Sequence, residues 1–96
     1  MEQPEIKQAE EWLVYMLSCA DGTIYTGITN NLSLRIAKHN AGKGAKYTRS
    51  RTPVKLLASW KCADKSSASS LEHTYKKLTR KAKEALLVQK REGSTE

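Results

Sequence analysis

A basic segment in the middle of this 96-residue chain carries side chains of the kinds that bind nucleic-acid backbones. Residues 42–53 read GKGAKYTRSRTP, in which two glycines accompany four cations and one aromatic ring. Lysine and arginine contact phosphates, whereas an aromatic ring stacks on a base or sugar. The sequence therefore predicts a mobile, nucleic-acid-binding loop, with an ordinary solvated loop as the alternative. Its predicted binding residues are Lys43, Lys46, Tyr47, Arg49 and Arg51.

The charge of the surrounding sequence favours the same kind of partner. The formal net charge is +7, but six of the ten acidic residues lie in the terminal stretches 2–11 and 92–96. Between Trp12 and Arg91, sixteen cations accompany four carboxylates, which gives a formal charge of +12. So positive a domain favours a polyanion, and DNA is the expected partner, with RNA left open.

Several other classes of protein find no support in the sequence. No apolar run is long enough to span a membrane, and the acidic, polar N-terminus is unlike a signal peptide, so we expect a cytoplasmic protein with no membrane partner. Cys19 and Cys62 lack the spacing of a disulfide framework and are expected to be free thiols. The cysteines and histidines also lack the paired spacing of zinc ligands. No small-molecule cofactor is expected, and the oligomeric state stays unknown.

Three further side chains lie on predicted helices. Arg35 and His39 are four residues apart and so project from one side of a helix. Glu72 is a carboxylate among many cations, and the simplest interpretation is an exposed salt bridge with Lys76, four residues later. Glu84 is expected to be solvated.

A β-hairpin over residues 12–30 must position the tyrosines. The stretch WLVYMLSCADGTIYTGITN contains two β-branched and aromatic runs separated by Ala20-Asp21-Gly22. A two-residue loop places Tyr15 and Tyr25 on opposite faces, whereas a three-residue loop pairs Leu17 with Tyr25 and places both tyrosines on one surface. The three-residue loop is favoured, with a core face of Trp12, Val14, Met16, Ile24 and Ile28.

The remaining elements follow from capping residues and periodicity. Asn30 or Asn31 caps a helix over residues 32–40, and residues 54–62 alternate as a third strand with Val54, Leu56, Ala58, Trp60 and Cys62 on one side. A second helix, capped by Asp64, Ser66 or Ser67, buries Ala68, Leu71, Tyr75 and Leu78. Thr79 is predicted to start a final helix. The alternative is that the second and final helices form one long helix. The predicted organisation is a flexible lead-in (1–11), one domain (12–91) and a disordered tail (92–96).

The chain resembles the GIY-YIG nuclease superfamily, and most of all its small single-domain bacterial members of the YhbQ type. Leu13-Val14-Tyr15 stands for the first triplet of the motif and Tyr25-Thr26-Gly27 for the second. Arg35 and Glu72 follow at the family's spacing, and His39 completes an Arg-x-x-x-His arrangement found in part of the family.

The resemblance implies an α+β fold in which a three-stranded antiparallel sheet is flanked by helices. It also implies a metal-dependent endonuclease that hydrolyses DNA phosphodiesters, with damaged or structured DNA as an expected substrate and DNA repair as a context. The implied catalytic residues are Tyr15, Tyr25, Arg35, His39 and Glu72, with one Mg²⁺ or Mn²⁺ held by Glu72. Arg35 would bind the developing charge, and Tyr15 or Tyr25 would orient the water or take its proton.

One departure from the family keeps a second function open. The family has an asparagine after its glutamate, but this chain has none beyond Asn40. The alternative is a non-catalytic nucleic-acid-binding module that retains the nuclease fold. A protein–protein adaptor is weaker, because it leaves the charge of +12 unexplained.

Overall fold

The computed structural model describes residues 11–93, so most of the predicted lead-in and residues 94–96 of the predicted tail lie outside the described residues. Three strands form one antiparallel sheet in the order β2-β1-β3. The strands are β1 (Trp12–Ser18), β2 (Ile24–Thr29) and β3 (Lys55–Cys62). The helices are α1 (Leu32–Asn40), α2 (Lys65–Lys76) and α3 (Arg80–Gly93), and a 3-10 turn spans Lys46–Thr48. The predicted α+β class and three-stranded sheet are confirmed.

The hairpin has the three-residue loop that the sequence favours. The backbone N–H of Cys19 donates to the carbonyl of Thr23 at 2.9 Å, and Leu17 pairs with Tyr25. Gly22 closes the loop with a φ of +85°, a conformation that a residue with a Cβ rarely adopts. The predicted register is confirmed, and Tyr15 and Tyr25 lie on the same face of the sheet.

The sheet is covered on both faces, whereas the sequence analysis assigned the core to one of them. On the predicted core face, Val14 and Met16 are fully buried, and Trp60 of β3 contacts Tyr75 of α2. On the other face Tyr15 and Leu17 are fully buried as well, and Leu32 and Ile36 of α1 pack against them. The prediction of a single core face is wrong, because α1 and α2 cover opposite sides of β1.

A bulge interrupts the alternation predicted for β3. Met16 pairs with Ala58, but the next residue of β1, Leu17, pairs with Leu56, so Leu57 has no partner on β1. Bulges redirect the side chains of the strand in which they occur. Leu56 therefore leaves the face of Ala58 and Trp60, and it is 43% exposed. The predicted inward position of Leu56 is wrong for this reason.

Side-chain caps fix the ends of the helices. Asn31 accepts from the N–H of Leu34 at the start of α1, and Asp64 accepts from the N–H of Ser67 at the start of α2. Thr79 accepts from the N–H of Ala82 at 3.1 Å, so it caps α3 and separates it from α2. α2 and α3 are therefore separate helices. α3 continues to Gly93, two residues beyond the predicted end of the domain at Arg91.

Candidate active site

A buried chain of hydrogen bonds connects Arg35, Tyr15, His39 and Thr48. The Nε of Arg35 donates to the hydroxyl oxygen of Tyr15 at 3.3 Å, and that hydroxyl lies 2.9 Å from Nε2 of His39. On the other side of the imidazole, Nδ1 lies 2.7 Å from Oγ1 of Thr48. β1 supplies the tyrosine, α1 the arginine and histidine, and the 3-10 turn the threonine.

The direction of these bonds follows from the single proton that each hydroxyl carries. Thr48 Oγ1 donates to the carbonyl of Ala45 at 3.0 Å, so it can only accept from His39. Nδ1 of His39 therefore carries the proton of a neutral imidazole, and Nε2 accepts from the hydroxyl of Tyr15. We call this directed chain, from Arg35 through Tyr15 and His39 to Thr48, the tyrosine–histidine relay.

Burial and charge keep the relay in this protonation state. Tyr15, His39 and Thr48 are each 0% exposed. Burial raises the pKa of Tyr15, opposed by the hydrogen bond from Arg35, while the charge of Glu72 adds a smaller upward effect. Burial, followed by the positive charge of Arg35, lowers the pKa of His39. At neutral pH the phenol is therefore protonated and the imidazole is neutral, with Nε2 unprotonated and able to accept the hydrogen bond of Tyr15.

Two glycines allow the relay to be packed this closely. A Cβ on Gly27 would lie 2.6 Å from the hydroxyl oxygen of Tyr15. A Cβ on Gly44 would overlap Nδ1 of His39 and would lie 2.9 Å from the Cα of the same residue. Real Cβ atoms do not approach so closely, so both positions require a residue without a side chain.

Tyr25 lies beside the relay and is more accessible than Tyr15. Its ring centroid is 6.3 Å from that of Tyr15 and 5.3 Å from that of His39. Tyr25 is half-buried, and its hydroxyl helps to hold the pKa of Arg35 above the ordinary value, after the larger effect of Tyr15. The fold thus brings together four of the five residues implied as catalytic: Tyr15, Tyr25, Arg35 and His39.

The segment 42–53 is fastened to the rest of the fold, contrary to the prediction of a mobile loop. Thr48 is buried against His39, and the N–H of Ala20 donates to the carbonyl of Arg51 at 2.8 Å. The side chain of Asn40 bonds both the N–H and the carbonyl of Val54, at 2.7 and 3.2 Å. A segment with so many buried and main-chain bonds opens less readily than a free loop.

The five predicted binding residues of this segment divide into two groups. Lys43, Lys46 and Arg49 are exposed. Tyr47 and Arg51 instead contact each other, with Cζ of Arg51 4.0 Å above the tyrosine ring. Nε of Arg51 also lies 2.9 Å from Oδ2 of Asp21 in a salt bridge. The binding role of all five residues stays a prediction.

Glu72 lies at the margin of the site. It is close enough to Tyr15 for its charge to raise the pKa of that phenol, and its side chain is 20% exposed. Its Oε2 lies 3.2 Å from Nζ of Lys76, which is the salt bridge of the simplest interpretation. That pairing partly shields the carboxylate.

Glu72 could supply one carboxylate ligand to a metal ion that takes few ligands from the protein. Within residues 11–93, no group of three or more His, Cys, Asp or Glu side chains is placed to hold a metal. Mg²⁺ often binds through one or two carboxylates and completes its octahedral shell with water and substrate phosphate oxygens. A single, partly shielded carboxylate could serve in that mode of binding.

Sequence reasoning missed three residues of this site. Thr48, Gly27 and Gly44 determine how His39 and Tyr15 are held, yet none was predicted as functional. Thr48 lies in a polar basic segment where nothing in the sequence indicates burial. The available signal was the glycine of the Tyr25-Thr26-Gly27 triplet, which could have been interpreted as a requirement for close packing.

The described residues include no helix with both the length and the apolarity to cross a membrane.

Comparison with known proteins places the chain in a family. The profile of the GIY-YIG catalytic domain matches residues 11–85. A UPF0213 protein of Natronomonas pharaonis is 52% identical over 79 residues, which cover 82% of this chain and 93% of that protein. A UPF0213 protein of Desulfotalea psychrophila is 48% identical, over 85% of this chain and 76% of its own length.

Two solved structures share the fold. The solution NMR structure of a UPF0213 protein from Bacillus halodurans has a TM-score of 0.56 at 46% identity and covers 83% of this chain and 85% of its own. An E. faecalis protein solved by the same method has a TM-score of 0.59 at 38% identity, with 88% and 90% covered. The profile match, the close relatives and the shared fold agree: the chain belongs to the GIY-YIG nuclease family.

Proposed function

We propose that this protein is a divalent-metal-dependent endonuclease that hydrolyses phosphodiester bonds of DNA. The observation that carries the proposal is the tyrosine–histidine relay, which places a neutral imidazole behind a phenol whose oxygen contacts an arginine. Hydrolysis of a phosphodiester requires that water lose a proton and that negative charge on the phosphate be stabilised. Damaged or structured DNA, and a role in repair, belong to the proposal as its expected substrates and context.

Arg35 is the residue that would bind the scissile phosphate. Its guanidinium is half-buried, and its bond to Tyr15, at 3.3 Å, is the longest in the relay. A phosphate oxygen is a stronger acceptor for a guanidinium than a neutral phenol is. Substrate binding would therefore draw Arg35 onto the phosphate and uncover the oxygen of Tyr15.

The relay would then receive the proton of the attacking water. The oxygen of Tyr15 would take a proton from the water while its own proton moves to Nε2 of His39, which leaves a neutral phenol, an imidazolium and a hydroxide for the attack. The phenol need not ionise beforehand, so its raised pKa is compatible with catalysis. Thr48 keeps Nδ1 protonated throughout and holds the ring in place. Tyr25, the more exposed phenol, would orient the water or the phosphate.

Glu72 would hold the divalent ion. When bound there, the ion would polarise the scissile phosphate and stabilise the leaving oxygen. The protein's own contribution is a carboxylate of fixed position, close enough to interact electrostatically with Tyr15.

The Glu72→Gln variant tests this proposal. Gln keeps the shape and helix propensity of Glu but removes the charge that holds a cation. We expect metal-dependent cleavage of plasmid, single-stranded and branched DNA to fall by orders of magnitude, since a metal contributes several kcal/mol to the transition state. Arg35→Ala should lose cleavage through weaker stabilisation of the phosphate.

Glu84→Gln is the matched control. Glu84 forms the same type of helical salt bridge, with Arg80 at 2.8 Å, but it lies in α3 and is exposed. Cleavage by this variant should match the wild type. Equal activity of Glu72→Gln and Glu84→Gln, in preparations free of contaminating nuclease, would refute the metal role of Glu72.

A non-catalytic nucleic-acid-binding module is the second candidate. The salt bridge between Glu72 and Lys76 favours it, because a carboxylate committed to a lysine need not hold a metal. This candidate predicts that the protein binds DNA but does not cleave it, whether or not Mg²⁺ or Mn²⁺ is present.

A further inference from the structure

A column of stacked side chains leads from the buried relay to the surface. The rings of His39 and Tyr25 meet edge to face, with centroids 5.3 Å apart. Tyr25 stacks on Tyr47, with centroids 5.8 Å apart and planes inclined by 27°. The guanidinium of Arg51 then lies 4.0 Å above the ring of Tyr47. The stacking contacts therefore run in the order His39, Tyr25, Tyr47 and Arg51, with the guanidinium as the last member of the column.

Arg51 is held in place more firmly than the neighbouring cations. Its Nε bonds Asp21 at 2.9 Å, its Nη1 donates to the carbonyl of Tyr47 at 2.6 Å, and its own carbonyl accepts from Ala20. The carboxylate of Asp21 compensates the positive charge, so Arg51 attracts a phosphate less than an unpaired arginine would. The guanidinium of Arg51 therefore offers a flat, fixed and partly exposed surface, with 34% of the side chain accessible.

We infer that Arg51 forms a binding site for an unpaired nucleobase, which stacks on the guanidinium as the next layer of the column. Guanidinium planes and aromatic rings are the surfaces on which proteins stack splayed bases. A base inside a duplex has both faces covered by its neighbours, so the ligand is a base exposed in a single-stranded or distorted segment. The inference rests on the proposed function, and it names the state of the nucleic acid that the site accepts.

Binding of abasic oligonucleotides tests the site without any cleavage. The Glu72→Gln protein in EDTA is titrated into a labelled single-stranded oligonucleotide, and anisotropy gives the affinity. The bases are then replaced, one position at a time, by an abasic site. We expect one position at which removal of the base weakens binding about tenfold, equivalent to about 1.4 kcal/mol, and a smaller or absent effect elsewhere.

Two variants assign that effect to the column. Arg51→Lys keeps the charge and removes the plane, so the intact oligonucleotide should bind about tenfold more weakly and the sensitive position should disappear. Tyr47→Leu removes the ring beneath the guanidinium and should give the same result, with thermal melting confirming that each variant is folded. Arg80→Lys is the control, because Arg80 also pairs with a carboxylate and donates to a main-chain carbonyl, but within residues 11–93 no aromatic ring stacks beneath it.

The possible outcomes separate the two proposals. An intact oligonucleotide that binds with a flat abasic profile would overturn the nucleobase site and leave the proposed function standing. An abasic profile that keeps its sensitive position in Arg51→Lys would also overturn the nucleobase site. So would an Arg51→Gln variant whose only change is a log–log salt slope lower by about 0.7, because that change is the signature of a phosphate contact on a single strand. If no nucleic acid binds at all, the proposed function fails and the nucleobase site fails with it.

Discussion

His39 owes its neutral state and its tautomer to the residues on either side of it. The hydroxyl of Thr48 donates its proton to the carbonyl of Ala45, so it accepts from Nδ1 of His39 and fixes the tautomer. The positive charge of Arg35 disfavours the imidazolium. The same histidine without Thr48 could carry its proton on the nitrogen that faces Tyr15, and it could then accept nothing from the phenol. The chemistry of the site therefore depends on a threonine that touches no reacting atom.

The buried histidine should leave a signature in the pH dependence of stability. Its pKa is lowered from the ordinary value of 6.5, so the unfolded chain binds a proton at a higher pH than the folded protein does. Above 6.5 neither state is protonated and His39 has no effect. Below 6.5 the unfolding free energy should fall, with a slope of at most about 1.4 kcal/mol per pH unit, until the folded-state pKa is reached.

Urea denaturation between pH 8 and pH 4.5 measures this effect as the difference between the wild type and His39→Gln. Asp21 and Asp64 have pKa values lowered by hydrogen bonds from Thr23 and Ser67, respectively. Their stabilisation is lost only as the pH falls below the ordinary value of 3.8, outside this window. If the unfolding free energies of the two proteins change in parallel with pH above pH 4.5, that result would contradict a buried, neutral His39.

At the scale of elements, the hairpin and the existence of the third strand were predictable, but the bulge in the third strand was not. Ala20-Asp21-Gly22 specifies a turn, and the alternation around it favours the register that the structure shows, with Tyr15 and Tyr25 on one face. In β3, Leu56, Leu57 and Ala58 are all apolar, so a slip of one residue leaves the pattern unchanged and the bulge gives no signal. Coverage of both sheet faces depends on where α1 and α2 pack, which periodicity alone does not determine.

The contact between the 42–53 segment and α1 can be tested at its two glycines. Gly44→Ala places a Cβ against the ring and backbone of His39, and such overpacking costs about 1–3 kcal/mol. Gly42→Ala introduces a Cβ at a φ of +78° with nothing within 4 Å, so its cost of about 1–2 kcal/mol is conformational only. We expect both to lower stability, but only Gly44→Ala to reduce cleavage and shift the NMR signals of the His39 ring.

Gly42→Ala is thus the control for a general decrease of stability in this segment. If the two variants cleave DNA equally well, the close approach of Gly44 to His39 has no part in organising the site.

At the scale of the whole molecule, the positive charge is the feature expected to govern association with a polyanion. Residues 12–91 carry a formal charge of +12, and Lys43, Lys46 and Arg49 are exposed in the segment that supplies Thr48 to the relay. Replacing these three with Ser should weaken duplex binding and lower the log–log salt slope by about 0.9 for each phosphate that the protein no longer neutralises. Affinity measured over a series of salt concentrations gives the slope.

Three exposed cations outside the 42–53 segment serve as the comparison for that experiment. Lys55, Lys61 and Lys65 contribute the same formal charge but lie on β3 and at the start of α2. Their replacement by Ser should change the slope less. Equal slopes for the two triple variants would mean that the 42–53 segment does not lie on the nucleic-acid backbone.

The strand order β2-β1-β3 also leads to an expectation for the order of events during folding. A three-residue loop connects the paired strands β1 and β2. By contrast, Trp12 at the start of β1 pairs with Cys62 at the end of β3, so the pairing of β1 with β3 closes a long loop. All four residues of the relay precede β3 in the chain. We expect the hairpin and α1 to form early, and the buried relay to be sealed only when β3 inserts beside β1. A growing chain would acquire Glu72 later still, so metal binding would follow completion of the sheet.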